Sequence, residues 1–227
     1  MEDPDRPRIK IQRDGPYLVS GPARLTRTAI VESDHGEPVA WAEDQDIPES
    51  RPRFVLCRCG GSANKPFCDG THRKNGFDGT ETADRAPRET RTRVFEGEDV
   101  KMSDDRSLCD HSGFCGDRNI DVWHMIRDTA DPEVRERVIA MVRLCPSGRL
   151  TVALADGDEL ALEPAHDPCI AVVTDGALWV RGGVEIVGAD GEIYEVRNRV
   201  TLCRCGDSSN KPFCDGTHSD NGFRDPV

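Results

Sequence analysis

Two stretches of this chain carry soft metal ligands at the same spacing. The first reads Cys57-Arg58-Cys59-Gly60-Gly61-Ser62-Ala63-Asn64-Lys65-Pro66-Phe67-Cys68-Asp69-Gly70-Thr71-His72, a C-x-C-x8-C-x3-H pattern. The second, Cys203-Arg204-Cys205 through Cys214-Asp215-Gly216-Thr217-His218, repeats it with most intervening residues unchanged. Thiolates bind zinc or the iron of iron–sulfur clusters, and imidazole suits both metals. Zinc pairs usually stand two to four residues apart, so that two thiolates wrap one tetrahedral ion. One intervening residue makes a tighter chelate. It fits one iron of a two-iron cluster whose other iron takes a Cys and a His, a mixed ligation known for such centres. Two structural zinc sites are the alternative.

On these residues both stretches resemble the CDGSH iron–sulfur (mitoNEET-like) family, whose motif is C-x-C-x2-S/T-x3-P-x-C-D-G-S/T-H. Thr71 and Thr217 stand where the name-giving motif has Ser, and every ligand position is kept. The resemblance implies one [2Fe-2S] cluster on Cys57, Cys59, Cys68 and His72. It implies a second on Cys203, Cys205, Cys214 and His218. It also implies that the two units pack about an internal two-fold axis, as a pseudo-dimer within a monomer. Between the ligands, Gly60 and Gly206 are expected to let backbone approach the sulfides. Ser62 and Ser208 are expected to donate toward sulfur or a turn. Asp69 and Asp215 are expected to cap a short helix carrying the histidine.

A third set lies between them. Cys109-Asp110-His111-Ser112-Gly113-Phe114-Cys115 is followed by a distant Cys145-Pro146. Bacterial ferredoxins use C-x2-C-x2-C with a further Cys-Pro. On that pattern Cys109 and Cys115 are the outer cysteines, Ser112 fills the middle slot and Cys145 is the remote ligand. This central segment resembles a divergent single-cluster ferredoxin. Three thiolates suit a [3Fe-4S] cluster, or a [4Fe-4S] cluster whose fourth iron takes His111, Ser112, Asp110 or solvent, His111 being preferred. Zinc, or a metal-free remnant, are the alternatives. The tenth cysteine, Cys169, opens an apolar run and is read as core, with a fourth-ligand role as the alternative. His35, His124 and His166 are read as solvated or structural.

The elements that must position these ligands repeat as well. Ile9 and Ile11, the turn Asp14-Gly15, and Tyr17-Leu18-Val19 read as a hairpin. Residues 170–180 repeat it, turn included, and Val184-Glu185-Ile186 answers Ala23-Arg24-Leu25. The first copy has an Asp-, Glu- and Pro-rich insertion in residues 33–53, expected on the surface, with Trp41 covering the sheet in preference to packing over the first cluster. Each copy ends in Asn-Gly-Phe, at Phe77 and Phe223, expected to pin the short helix back onto the loop. Residues 1–8 read as a charged tail and 80–93 as a linker. In the centre, Asp131-Pro132 starts a helix, and Val134, Val138, Met141 and Val142 fall on one face leading to Cys145.

The fold class expected is α+β: two small β-rich units as an internal pseudo-two-fold pair, plus a small ferredoxin-like α+β insert. Domain ranges are 9–84, 88–165 and 168–227. The chain has 227 residues, 36% hydrophobic and 32% charged. Three such small folds have marginal cores, so bound metal is expected to supply folding free energy. A net charge of −12 argues against nucleic acid or an anionic membrane as partner. No apolar run reaches a membrane span. The acidic N-terminus lacks signal- or transit-peptide character, so a reducing cytoplasm is expected, with metal ligation rather than disulfides. There is no nucleophile–base pairing, phosphate loop or dinucleotide fingerprint, so the chain is not read as an enzyme. The function expected first is one-electron transfer with a protein redox partner. Cluster transfer or storage is the second, delivering to an apo-protein acceptor through acid-labile, His-ligated clusters. An adaptor with structural clusters is the third.

Overall fold

Alternating apolar residues in the two repeats build the strands that carry the outer ligand sets. A computed structural model describes residues 6–48, 53–157 and 162–225. Residues 1–5 of the tail, 49–52 of the insertion, and 158–161 lie outside the described residues. The first repeat contributes β1 (Arg8–Ile11), β2 (Tyr17–Ser20), β3 (Arg24–Thr28), β4 (Ile30–Glu32), β5 (Pro38–Trp41), β6 (Gln45–Asp46) and β7 (Arg53–Leu56). The central segment holds α1 (Arg88–Arg91), β8 (Arg93–Glu96), β9 (Val100–Asp104), α2 (Val122–Met125), α3 (Pro132–Leu144) and β10 (Leu150–Leu154). The second repeat supplies β11 (Cys169–Val173), β12 (Leu178–Arg181), β13 (Glu185–Val187) and β14 (Arg199–Leu202). The fold is thus mixed α+β. No helix among the described residues is long and apolar enough to cross a membrane.

The two repeats exchange a strand. One sheet runs β13-β1-β2-β7 and the other β14-β12-β11-β3-β6. Each hairpin keeps its own ligand-bearing strand, β7 or β14. Its third strand crosses over: β3 pairs in parallel with β11 (Leu25 opposite Ile170), and β13 with β1 (Ile186 opposite Ile9). The exchange is reciprocal, which makes the pair pseudo-two-fold. It also leaves one shared core, in which Ile9, Tyr17 and Leu56 of the first repeat pack with Ile170, Leu178 and Leu202 of the second. Removing either crossing strand would strip apolar surface from both sheets at once.

The insert has its own core. An antiparallel sheet β10-β9-β8 packs against α3. Val138 and Val142 of α3 are fully buried, while Val134 and Met141 are partly buried beside them. Asp131 caps α3 by accepting from the Glu133 N–H (2.9 Å), with Pro132 in the first turn.

Two expectations need correction. Residues 80–93 are not a free linker. The amides of Thr82 and Ala83 donate to Lys211 O (2.8 and 2.9 Å), and Thr82 Oγ1 donates to Ser209 O (2.7 Å). The described part of the 33–53 insertion is not merely a surface excursion either. Its β4–β5 hairpin reaches both the insert and the second repeat: the Trp41 ring stands 5.0 Å from that of Phe114 and 4.6 Å from that of Trp179 on β12, and its Nε1 donates to Leu144 O (3.0 Å). Glu37 accepts from the Arg118 backbone N–H (2.8 Å) and pairs with its guanidinium. Local composition describes a loop; the partners are supplied by a distant segment.

Candidate metal centres

Each outer site is built on the end of a ligand-bearing strand. β7 ends at Leu56, which places Cys57 and Cys59 just beyond it. The loop then doubles back, with Cys57 N donating to Pro66 O (2.8 Å) and Cys68 N to Val55 O (3.0 Å). β14 does the same for the second site: Cys203 N donates to Pro212 O and Cys214 N to Thr201 O, both at 2.9 Å. The serines serve the turn rather than the metal. Ser62 and Ser208 each donate to a phenylalanine carbonyl, Phe67 O and Phe213 O, at 2.7 Å. The short helices are 3-10 turns, Thr71–Arg73 and Thr217–Ser219, whose cap positions are Gly70 and Gly216 in the left-handed region. Asp69 and Asp215 act from one residue earlier, accepting the amides of Thr71 (3.0 Å) and Thr217 (3.1 Å). Gly60 and Gly206 are needed where the two repeats meet. A Cβ on Gly60 would collide with the carbonyl of Cys205, and one on Gly206 would stand 3.0 Å from the carbonyl of Cys59. The two C-x-C-G turns therefore abut across the pseudo-two-fold.

The ligands stand in pairs. Cys57 Sγ and Cys59 Sγ are 3.9 Å apart, and Cys68 Sγ is 3.4 Å from His72 Nδ1. At the second site the corresponding distances are 3.6 and 3.2 Å. Among the described residues no three His, Cys, Asp or Glu side chains converge on one ion. Two pairs suit a two-iron group with a pair on each iron, whereas a structural zinc needs four ligands about one point. Without a metal the thiols of Cys57, Cys205 and Cys214 are held neutral, so the positive charge that favours their thiolates must come from a bound metal and from neighbouring cations. Burial pushes the Cys57 thiol up to about 11. The Cys203 hydrogen bond and burial raise Cys205, and burial with the nearby Asp110 carboxylate raises Cys214 well above the usual thiol range. Arg58, 2% exposed, lies over Tyr17 and Phe77 and donates Nη2 to Gly79 O (2.8 Å). Its Nε and Nη1 have no hydrogen-bond partner among the described residues, and a buried cation of this kind calls for negative charge nearby. Its counterpart Arg204 is paired with Asp225 (2.6 Å) and stacked on Phe223.

The sites differ in cover. Cys203, Cys205 and Cys214 are buried, while Cys59 and Cys68 are partly exposed. His72 opens on a cleft with Arg13, Leu18 and Arg73. His218 opens on another, of about 620 Å³, shared with Trp41, His111 and Arg224.

The structure also brings the three central cysteines together. Cys109 follows the 3-10 turn Arg106–Leu108, Cys115 accepts the amide of Val122 at the start of α2, and Cys145 is the C-cap of α3. They line one cavity of about 180 Å³ with His111, Ser112 and Arg149. Burial, then neighbouring Cys145, raises Cys115 to about 11. Arg149, which sequence reading missed, donates Nη1 to Cys109 Sγ (3.0 Å). Asp104 holds that guanidinium through Nε (2.6 Å) and Nη2 (2.9 Å), and the indole of Trp123 lies beneath it at 5.0 Å. His111, in the left-handed region, leans on Gly216 of the second outer site, so its position does not single it out as a fourth ligand. Of the remaining candidates, Cys169 is buried on β11 against Thr26 and Arg181, His35 and His124 are exposed, and His166 sits edge-on to Trp179.

Comparison with known protein families matches residues 14–73 and 175–219 to the iron-binding zinc finger of CDGSH type. Residues 95–155 match the divergent 4Fe-4S mono-cluster domain. No curated protein and no solved structure gives a match. With the paired ligands of the outer sites and the three-cysteine cavity between them, the two outer units are similar to the CDGSH iron-binding family, and the segment between them is similar to a divergent 4Fe-4S mono-cluster domain.

Proposed function

We propose that the chain is a one-electron carrier with a [2Fe-2S] cluster at each outer site and a [3Fe-4S] or [4Fe-4S] cluster at the central one. The observation that carries this reading is the presence of three soft-ligand sets within one continuous fold, the outer two meeting backbone to backbone at Gly60 and Gly206. When bound, such clusters accept and give up single electrons. The protein's own part is to hold the thiolates in fixed pairs, exclude water from Cys203, Cys205 and Cys214, and set the surrounding charge through Arg58, Arg204 and Arg149. A net charge of −12 favours docking to a basic protein redox partner, a steering that weakens as salt rises.

Electron paramagnetic resonance on anaerobically purified protein, with iron and sulfide counted on the same sample, tests the reading. Reduction is expected to give two distinguishable outer signals, besides a central signal whose redox state identifies its nuclearity. A chain with about four irons and only outer signals would remove the central cluster, since each outer site then takes two. Zinc in place of iron would end the proposal. One observation favours cluster transfer as a second reading: the first outer site is the more exposed, with Cys59, Cys68 and His72 all partly open. If transfer operates, an apo-acceptor should empty this site first.

A further inference from the structure

Among the described residues, the contacts between the central segment and an outer ligand loop are made at the second outer site. β14 begins at Arg199, which is 1% exposed and donates to the carbonyls of Val142 (3.1 Å), Arg143 (3.2 Å) and the ligand Cys145. The same strand runs directly into Cys203. One short strand therefore joins the backbone of a central ligand to the first ligand of the second outer site. A second contact lies on the other flank. His111 sits on Gly216, where a Cβ would stand 2.9 Å from its Cδ2, and Gly216 is two residues from His218. Asn210 Nδ2 adds a bond to Ser107 O (2.7 Å).

The first repeat supplies a built-in control. Arg53 starts β7 as Arg199 starts β14, yet it is exposed. Gly70 matches Gly216 and has the same left-handed backbone, φ 90° against 86°, yet nothing lies within 4 Å of a Cβ built on it. The repeats are alike in sequence, and although the first repeat's β4–β5 hairpin also packs on the insert, among the described residues these contacts at the strand start and the ligand-loop glycine are found in the second repeat and not in the first.

We infer that the second outer site (Cys203, Cys205, Cys214, His218) is the middle member of a row of three, so that an electron passing between the central and first outer sites goes through it. Each step oxidises one site and reduces its neighbour by one electron, with no atom exchanged. The inference rests on the one-electron reading above and adds an order to it.

The test uses the full chain reduced with dithionite. Half of each dithionite gives up one electron and leaves, after taking up water, as sulfite. His72→Cys or His218→Cys shifts the signal of one outer site and so separates the two spectra. Cys145→Ser then removes the central cluster. The expected result is a several-fold slower spin relaxation at the second outer site, read by power saturation, and no change at the first. An equal or larger change at the first outer site, or no change at either once the iron count has fallen, overturns the order while leaving the carrier reading intact. An unchanged iron count in Cys145→Ser overturns the central cluster itself, and the row with it. The glycine pair gives an independent measurement in chains that keep every ligand. Gly216→Ala and Gly70→Ala share the same backbone strain. Gly216→Ala alone presses on His111 and is expected to change the central signal. Equal disturbance from both, or none from Gly216→Ala, counts against the row.

Discussion

At the scale of single residues, the ligands and the groups around them differ in how they can be recognised. Cys57, Cys59, Cys68 and His72 are local in sequence, so their spacing alone shows which chelate they can form. Arg149 cannot be found in that way. It lies four residues beyond Cys145 but acts on Cys109, and it does so because Asp104 and Trp123 from other elements fix its plane. A guanidinium donating to a ligand sulfur stabilises the more negative, reduced state of a bound cluster. Hydrogen bonds from charged groups are worth about 1.5–3 kcal/mol. Only the part that differs between oxidation states reaches the potential, and about 59 mV corresponds to a tenfold one-electron equilibrium. Arg149→Leu is therefore expected to lower the central site's potential by something on the order of 50 mV, while leaving both outer potentials in place. A redox titration followed by electron paramagnetic resonance measures this. A central potential unchanged in Arg149→Leu would mean that the contact with Cys109 carries no weight.

At the scale of elements, the β4–β5 hairpin shows most clearly what local patterning misses. The repeated hairpins are legible, because period-two apolar residues and Asp-Gly turns mark strands wherever they pack. So is α3, whose apolar face and Asp-Pro start agree with its final place. The insertion is polar and Pro-bearing, and nothing within it names the central segment as its partner. In the structure it clasps the ligand loop from outside. Pro38 lies 3.0 Å from where a Cβ on Gly113 would stand, Trp41 packs on Phe114 beside Cys115, and its indole N–H holds the last carbonyl of α3 before Cys145. Trp41 is partly buried, so Trp41→Ala is expected to cost less than the about 3–5 kcal/mol of a fully buried Trp, and to make the central cluster bleach faster in air, with the first outer spectrum unaffected. Trp41→Phe keeps most of the stack and loses the hydrogen bond, worth about 1 kcal/mol. Thermal unfolding and the rate of bleaching, measured on both variants, separate the two contributions. Equal bleaching of all three sites would show that the hairpin supports the whole fold rather than the central loop.

At the scale of the whole molecule, the sequence names the repeats without showing how they interlock. Whether β3 and β13 stay with their own hairpins or cross over depends on how the units face each other, and the same alternating residues satisfy either arrangement. The joint between insert and second repeat is likewise tertiary. Arg199, on which the Cys145 carbonyl depends, is a buried cation balanced by Glu163 at 2.7 Å, with Asn198 donating to the same carboxylate. Burial alone would raise the Glu163 carboxyl, but Arg199's hydrogen bonds and charge outweigh it and hold the carboxyl below its usual value. A carboxylate depressed in the folded state contributes stability above its unfolded pKa, about 4.3, and loses it as pH falls through the folded value. Glu163→Gln leaves Arg199 buried and unpaired, a change that typically costs about 3–5 kcal/mol. The variant is expected to be less stable than the parent at pH 7, and the gap is expected to narrow as pH falls below the unfolded carboxyl's value and to close in acid below the depressed folded value. Denaturant unfolding of the two full chains in parallel, each at both pH values, measures the difference and cancels any acid loss of metal common to both. A gap that persisted unchanged into acid would assign the cost to lost shape at the joint. A gap that closed would show that one ion pair fastens the central segment to the strand leading into Cys203.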